Sequence, residues 1–114
     1  MTTKSSLLLA APFVVALTAH VPAHAAVDED AALALAKKED CTKCHAVDKT
    51  KKGPSYKKIA AKYKEKKLTE KDAIKQMQEG KKVKLDDGTE EDHKIIETKD
   101  PKALSNLAQW IMSR

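Results

Sequence analysis

Apolar residues recur at helical spacing along several stretches of this chain, and the pattern is clearest near its end. Four of them fall at i, i+3, i+4 and i+7 and so form one stripe of a helix: Leu104, Leu107, Ala108 and Ile111. Asp100 can cap this helix, and Pro101 suits its first position because proline needs no hydrogen-bond partner there. The pattern predicts a final helix with one buried face.

Three shorter helices are predicted ahead of it. Residues 28–40 combine helical spacing of apolar side chains with acidic residues at the start and lysines near the end, as the helix dipole favours. Residues 56–63 and 68–78 give the other two, and Thr69 and Asp72 resemble a capping box at the start of the last of these. The sequence therefore predicts about four helices.

Residues 81–98 differ from the rest because they show no sustained period of apolar residues. They contain the turn dipeptide Asp87-Gly88, and we predict a long functional loop there. The chain also lacks a run of β-branched residues that would make a sheet. The predicted fold class is all-α.

Residues 1–25 resemble a secretion signal. Lys4 precedes the apolar run Leu7–Ala19, and Ala23-His24-Ala25 gives a small-x-small cleavage pattern. The apolar run is shorter than the roughly 20 residues that a membrane span needs. We therefore predict cleavage before Ala26 and export to the periplasm; an uncleaved membrane anchor is the alternative.

The predicted mature chain, residues 26–114, is long enough for one domain only. A domain of this size buries a modest fraction of its surface and often depends on a metal, disulfide or cofactor. The formal net charge of the whole chain is +5, which is compatible with nucleic-acid binding, but the export signal argues against that partner. Lysines and acids alternate along the helices, as on solvated faces.

Both cysteines of the chain occur in one motif, Cys41-Thr42-Lys43-Cys44-His45. This C-x-x-C-H pattern is typical of a site for covalent attachment of a c-type haem. Each thiol can add to one vinyl group of the macrocycle, and the adjacent imidazole can bind the iron from one face. The motif predicts one covalent haem with its iron and a redox role.

Three other interpretations of the cysteines are open at this point. A thioredoxin-like thiol pair needs a βαβ setting, which the chain does not predict. A zinc site usually takes four ligands in two spaced pairs, and the neighbours Cys44 and His45 are poorly placed for one tetrahedral ion. A local disulfide between Cys41 and Cys44 is the third.

With this motif, the chain resembles a small bacterial class I cytochrome c over essentially the whole mature domain. The resemblance also rests on the Gly53-Pro54 turn and on the ending Leu107-Ala108-Gln109-Trp110-Ile111-Met112-Ser113. It implies a fold in which the first and last helices cross and the haem edge lies in a cleft. It also implies that the carbonyl of Pro54 accepts a hydrogen bond from His45. Tyr56 could bond a haem propionate or simply pack half-exposed.

The resemblance departs at the second iron ligand. The family normally supplies a methionine from the loop before the last helix, whereas residues 81–99 contain no methionine and one histidine, His93. We predict ligation by His45 and His93 and a low-spin haem of lowered potential, because imidazole favours ferric iron more than a thioether does. In the alternatives, His93 is an ordinary exposed histidine, or Met77, which lies in a predicted helix, is the ligand.

These features predict a periplasmic one-electron carrier rather than an enzyme, since no constellation of general acid, base and nucleophile appears. We expect a monomer without a stable membrane anchor. Four lysines near the attachment loop could steer an acidic redox partner or could simply be solvated: Lys43, Lys49, Lys51 and Lys52. Two alternatives are a haem protein that binds or senses CO, NO or O2, and an electron-transfer subunit of a periplasmic oxidoreductase.

Overall fold

The computed structural model describes residues 26–114, so the predicted signal peptide lies outside the described residues. Four helices and one short hairpin make up this part. A single 3-10 turn, Cys41–Lys43, lies between the first and second helices. The elements are α1 (Glu29–Lys38), α2 (Tyr56–Glu65), α3 (Glu70–Glu79), β1 (Lys82–Lys84), β2 (Glu90–Asp92) and α4 (Pro101–Met112). In residues 26–114, none of the helices has the length and apolar character required to cross a bilayer.

Each helix begins where a polar side chain accepts hydrogen bonds from the unpaired backbone N–H groups. At α3, the predicted capping box is confirmed, because the Asp72 carboxylate accepts the backbone N–H of Thr69 at 2.7 Å. Asp100 caps α4 as predicted, and Pro101 occupies its first turn. Ser55 caps α2, because its Oγ accepts the backbone N–H of Lys58. This serine is buried and was not among the predicted caps.

Helix α4 is the centre of the core, since α1, α2 and α3 all pack against it. Its predicted stripe is confirmed, and Trp110 joins it, so that five side chains of one helix are buried: Leu104, Leu107, Ala108, Trp110 and Ile111. Where α1 approaches α4, the fully buried residues of α1 are Ala32 and Ala36. Small side chains at these positions let the two helices approach closely. Each large apolar side chain buried here stabilises the fold by about 1.5–3 kcal/mol.

The prediction of an irregular loop throughout residues 81–98 was wrong for its first part. Strands β1 and β2 pair antiparallel, with Lys82 opposite Asp92 and Lys84 opposite Glu90. Opposite charges facing each other across the strands stabilise such a pair without the β-branched residues that signal a strand in a sequence. Gly88 adopts a positive φ of 87° in the connecting turn, so the Asp87-Gly88 dipeptide marks a hairpin turn.

Gly80 ends α3 in the left-handed conformation, with φ of 61°, and lies against the segment that follows the hairpin. A Cβ at this position would lie 2.8 Å from Cγ1 of Ile95 and 3.3 Å from the carbonyl oxygen of His93. Glycine is therefore required at position 80 for two reasons. It adopts the left-handed conformation that ends α3, and it leaves room for residues 93–95 to pack against the helix end.

We expect Gly80→Ala to lower the free energy of unfolding by about 1–3 kcal/mol, through left-handed strain and displacement of Ile95. Gly88→Ala is the matched control, because Gly88 also has a positive φ but a Cβ there meets no atom within 4 Å. Chemical denaturation of the three proteins would measure both losses. Equal losses for the two variants would show that the contact with Ile95 contributes nothing.

Candidate haem site

The two cysteines and the first histidine lie on a single tight turn. Residues Cys41–Lys43 form a 3-10 turn, and the backbone N–H groups of Cys44 and His45 both donate to the carbonyl of Cys41, at 3.1 and 2.8 Å. In a 3-10 turn, side chains at i and i+3 eclipse each other. Cys41 and Cys44 are therefore presented on the same side, as two bonds to one macrocycle require.

Both thiols are free and half-buried. Burial raises the pKa of the Cys41 thiol, because a thiolate loses more solvation than a thiol does. No group of three or more His, Cys, Asp or Glu side chains that could hold a metal ion occurs within residues 26–114. Within residues 26–114, then, Cys41 and Cys44 are not joined in a disulfide, and no further metal ligands accompany them.

His45 is oriented by the turn that follows it. Its Nδ1 lies 2.6 Å from the carbonyl oxygen of Pro54. A carbonyl can only accept, so Nδ1 carries a proton, and the tautomer that this bond selects is the one with its lone pair on Nε2. Gly53 lies directly beneath the ring, where a Cβ would be 2.8 Å from Cε1 of His45. In the sequence, Gly53 is recognisable only as a turn residue, because this contact depends on the folded path of residues 45–54.

His93 begins the segment that leads from the hairpin to α4. Its backbone N–H donates to the carbonyl of Lys81 at 2.9 Å, which continues the hairpin by one more hydrogen bond. Its ring Nδ1 lies 2.9 Å from the carbonyl oxygen of Lys94, so this ring also carries its proton on Nδ1 and has Nε2 free. The side chain is half-buried.

The rings of His45 and His93 are neighbours, although the residues are far apart in the sequence. Their centroids are 6.2 Å apart, and their planes are inclined by 39°. One metal ion bound between two imidazoles holds the ring centroids about 6 Å apart, since an imidazole–metal bond is about 2 Å long. Burial lowers the pKa of His93; the hydrogen bond to the Lys94 carbonyl opposes this shift, and the nearby His45 adds a smaller lowering. The net shift favours the neutral ring that can bind a metal.

Tyr56 connects this ring pair to the core. Its ring stacks on His45 with a centroid distance of 5.6 Å and meets Trp110 edge-on at 5.0 Å. Tyr56 is 3% exposed, so of its two predicted roles the half-exposed packing residue does not match the structure. The phenol Oη and the indole Nε1 of Trp110 are both buried and have no hydrogen-bond partner among the described residues.

Met77 lies in the hydrophobic core on α3 and is 8% exposed. Its backbone carbonyl accepts the N–H of Ile96 at 2.8 Å, three residues after His93. Met77 thus helps to fix the segment that carries His93, while the ring next to His45 is that of His93.

The four lysines singled out in the sequence do not form one unpaired group. Lys43 pairs with Asp40 at 3.1 Å, and Lys52 pairs with Glu91 of the hairpin at 3.7 Å. Lys51 donates to the carbonyl of Thr42. Among the described residues, Lys49 forms no ion pair. These are exposed contacts, so the lysines keep their charge toward solvent.

The arrangement fits a covalently bound haem. Two thiols lie on one side of a turn, two imidazole rings are separated by the span of one metal ion, and two buried donors lack an acceptor among the described residues. Cys41 and Cys44 would attach the macrocycle, and His45 would bind its iron. A propionate could accept the hydrogen bond of Tyr56.

The comparisons with known proteins agree with this chemistry. The family model described as Cytochrome c matches residues 30–114. A crystal structure of the class 1 cytochrome MtoD from Sideroxydans lithotrophicus ES-1 is similar to this chain, with 52% sequence identity and a TM-score of 0.72. The match covers 77% of this chain and 97% of that one. The search of curated proteins found no match.

The chain therefore belongs to the cytochrome c family, and its described part has the class I cytochrome c fold. The family carries one covalently bound haem c with its iron and serves haem-based electron transfer.

We expect Gly53→Ala to destabilise the haem-loaded protein by about 1–3 kcal/mol, because the new methyl group would push the His45 ring away from Pro54. The weakened Nδ1–H hydrogen bond would make the imidazole a poorer donor and raise the midpoint potential. Thermal unfolding and a redox titration would measure the two effects. Pro54→Ala is the control, since it keeps the accepting carbonyl; an unchanged potential in Gly53→Ala would contradict the expectation.

Proposed function

We propose that this protein is a periplasmic one-electron carrier whose haem iron is bound by His45 and His93. The observation that carries the proposal is the ring pair, 6.2 Å between centroids, with both Nδ1 atoms against backbone carbonyls. Each hydrogen bond fixes the tautomer in which Nε2 binds metal. The two rings would then stay oriented while the haem exchanges one electron.

Bis-histidine ligation has a direct effect on the potential. Methionine raises the potential of cytochromes c, whereas imidazole is the stronger electron donor and stabilises ferric iron. Because Pro54 and Lys94 accept the Nδ1–H of His45 and His93, both imidazoles gain further donor strength. We therefore propose a low-spin haem with a lower potential than that of a methionine-ligated relative.

The way in which His93 is held favours a carrier over a sensor of small ligands. The sensor alternative rests on a loose, proline-free loop. The structure instead holds this stretch by the hairpin, by the His93 N–H to Lys81 and by the Ile96 N–H to Met77. A ligand held at several points leaves the iron less readily than one on a free loop.

Export and assembly form part of the same proposal. Residues 1–25 would be removed as a signal peptide, and residues 26–114 would form the cytochrome domain in the periplasm. The mature chain would act as a monomer that passes electrons between proteins, without a stable membrane anchor and without catalysis of its own. Service as the electron-transfer subunit of a periplasmic oxidoreductase is compatible with this role.

An acidic redox partner is proposed from the positive charge next to the attachment turn. Lys49 is free of ion pairs within the described part, and Lys51 lies on the same loop. Because the ion pairs of Lys43 and Lys52 are exposed, they weaken the local field without removing it. The resulting potential would orient an acidic surface toward this side of the molecule.

His93→Ala tests the ligand set. We expect loss of the low-spin spectrum and a high-spin haem that binds carbon monoxide when ferrous, because no imidazole would occupy the second axial position. Optical and paramagnetic-resonance spectra of the haem-loaded protein would show the change. Met77→Leu is the control, since it alters a core side chain of similar volume and should leave the spectrum low-spin.

Two results would decide against this ligand set. An unchanged spectrum in His93→Ala would remove His93 as a ligand. A change of ligation in Met77→Leu, or a methionine–iron charge-transfer band in the parent protein, would identify Met77 instead.

The lysine proposal predicts a charge-dependent reaction with small redox ions. We expect oxidation of the ferrous protein by anionic hexacyanoferrate(III) to slow as salt rises, because the screening length falls to about 10 Å at 0.1 M. Lys49→Glu should slow this reaction a few-fold at low ionic strength. Stopped-flow measurement would show both effects, with cationic hexaammineruthenium(III) giving the opposite trend.

Lys71→Glu is the matched control, since it makes the same charge change at the start of α3. The start of α3 lies about 15 Å along the helix axis from the end of α3. The end of α3 leads into the hairpin, whose Glu91 pairs with Lys52 near the attachment turn. Equal slowing by both variants would mean that only net charge matters.

A further inference from the structure

Glu39 is a charged side chain in an unusual position. It is 4% exposed, and it ends α1 two residues before the first haem-attachment cysteine. A buried carboxylate is costly unless hydrogen-bond donors surround it. Here both oxygens are used: one accepts the backbone N–H of Glu97 at 2.7 Å, and the other accepts that of Thr98 at 3.1 Å.

The two amides that Glu39 binds belong to the stretch between His93 and α4. This stretch, residues 93–100, contains no helix or strand, so no ladder of backbone hydrogen bonds holds it. Ile96 is buried within it and donates its N–H to Met77. Beyond that bond and the His93 N–H, the carboxylate of Glu39 is the main polar anchor of the stretch.

A second, weaker contact lies beside the first. Asp40 adopts the left-handed conformation, with φ of 61°, and its carboxylate meets the Lys94 ammonium at 2.9 Å. Hydrogen bonds from Lys94 and Lys43 lower the pKa of Asp40. Because this pair is exposed, it contributes less than the buried carboxylate does. The buried link between the start of the Cys41 turn and the segment of His93 is therefore that of Glu39.

We propose that Glu39 is a positioning residue that holds the His93 segment against the haem-attachment turn. It thereby fixes the separation of the two iron-binding imidazoles. This inference rests on the proposed function, since it gives the carboxylate a role in keeping His93 on the iron. A hydrogen bond from a backbone N–H to a carboxylate is about twice as strong as one to a neutral acceptor, which suits this task.

The test combines two measurements on the haem-loaded protein and Glu39→Ala. The first is the rate at which ferric protein binds cyanide, which requires His93 to leave the iron. We expect this rate to rise about tenfold or more, because two charge-assisted hydrogen bonds are lost. The second is hydrogen exchange at the amides of Glu97 and Thr98, which should become fast while the amides of α4 stay protected.

Glu39→Gln keeps the shape of the side chain and one accepting oxygen, so its rate of cyanide binding should lie between those of the parent and of Glu39→Ala. This variant also provides the test if Glu39→Ala does not fold. Asp40→Asn is the matched control, because asparagine tolerates the left-handed conformation and the change removes only exposed ion pairs, those with Lys43 and Lys94. Ile59→Ala, on α2, is the control for a general loss of stability. Both controls should bind cyanide at nearly the parent rate.

The outcomes separate this inference from the ligand set itself. Exposed amides with an unchanged cyanide rate would overturn the positioning role and leave Glu39 as a structural residue. An equal rise of the rate in Ile59→Ala would overturn it too, since general destabilisation would then suffice. Whether His93 binds the iron at all is decided by His93→Ala alone. If His93 is not a ligand, hydrogen exchange at the Glu97 and Thr98 amides shows independently whether Glu39 holds the segment.

Discussion

The proposed ligand set of His45 and His93 depends on one constraint, which is that two imidazoles from distant parts of the chain must present the same nitrogen to one metal ion. A free histidine exchanges between two tautomers and turns about its side-chain bonds. In this structure the carbonyls of Pro54 and Lys94 accept the Nδ1–H groups of His45 and His93, which removes both freedoms. The turn around His45, the hairpin and the contacts of residues 93–98 position these two rings and the carbonyls that bind them.

Each ring reaches its place by a different route. His45 is placed locally, because a 3-10 turn, the glycine beneath the ring and the following proline all lie within residues 41–54. His93 is placed by contacts that are distant in sequence: the hairpin, the carbonyl of Met77 and the carboxylate of Glu39. The position of His45 is therefore encoded in residues 41–54, whereas the position of His93 depends on the whole fold.

This difference explains what the sequence could predict. The helix starts at Thr69 and Asp100, the α4 stripe and the C-x-x-C-H motif are local patterns, and each matches the structure or the family. The hairpin was missed because opposite charges, rather than β-branched residues, pair its strands. Glu39 was missed because an acidic residue at a helix end normally signals solvent, and only the folded chain brings two unpaired amides to it.

The core and the site are also a single structure. Trp110 of the central helix meets Tyr56, and Tyr56 stacks on His45, so three rings in contact lead from the last turn of α4 to the imidazole of the C-x-x-C-H motif. The only other aromatic residue in the described part is Tyr63, which packs at the edge of the core. Both Tyr56 and Trp110 belong to the hydrophobic core, and Tyr56 also contacts His45, so the core extends to the haem-attachment motif. Loss of order at the haem would therefore reach α4 directly, which couples the stability of this fold to its redox centre.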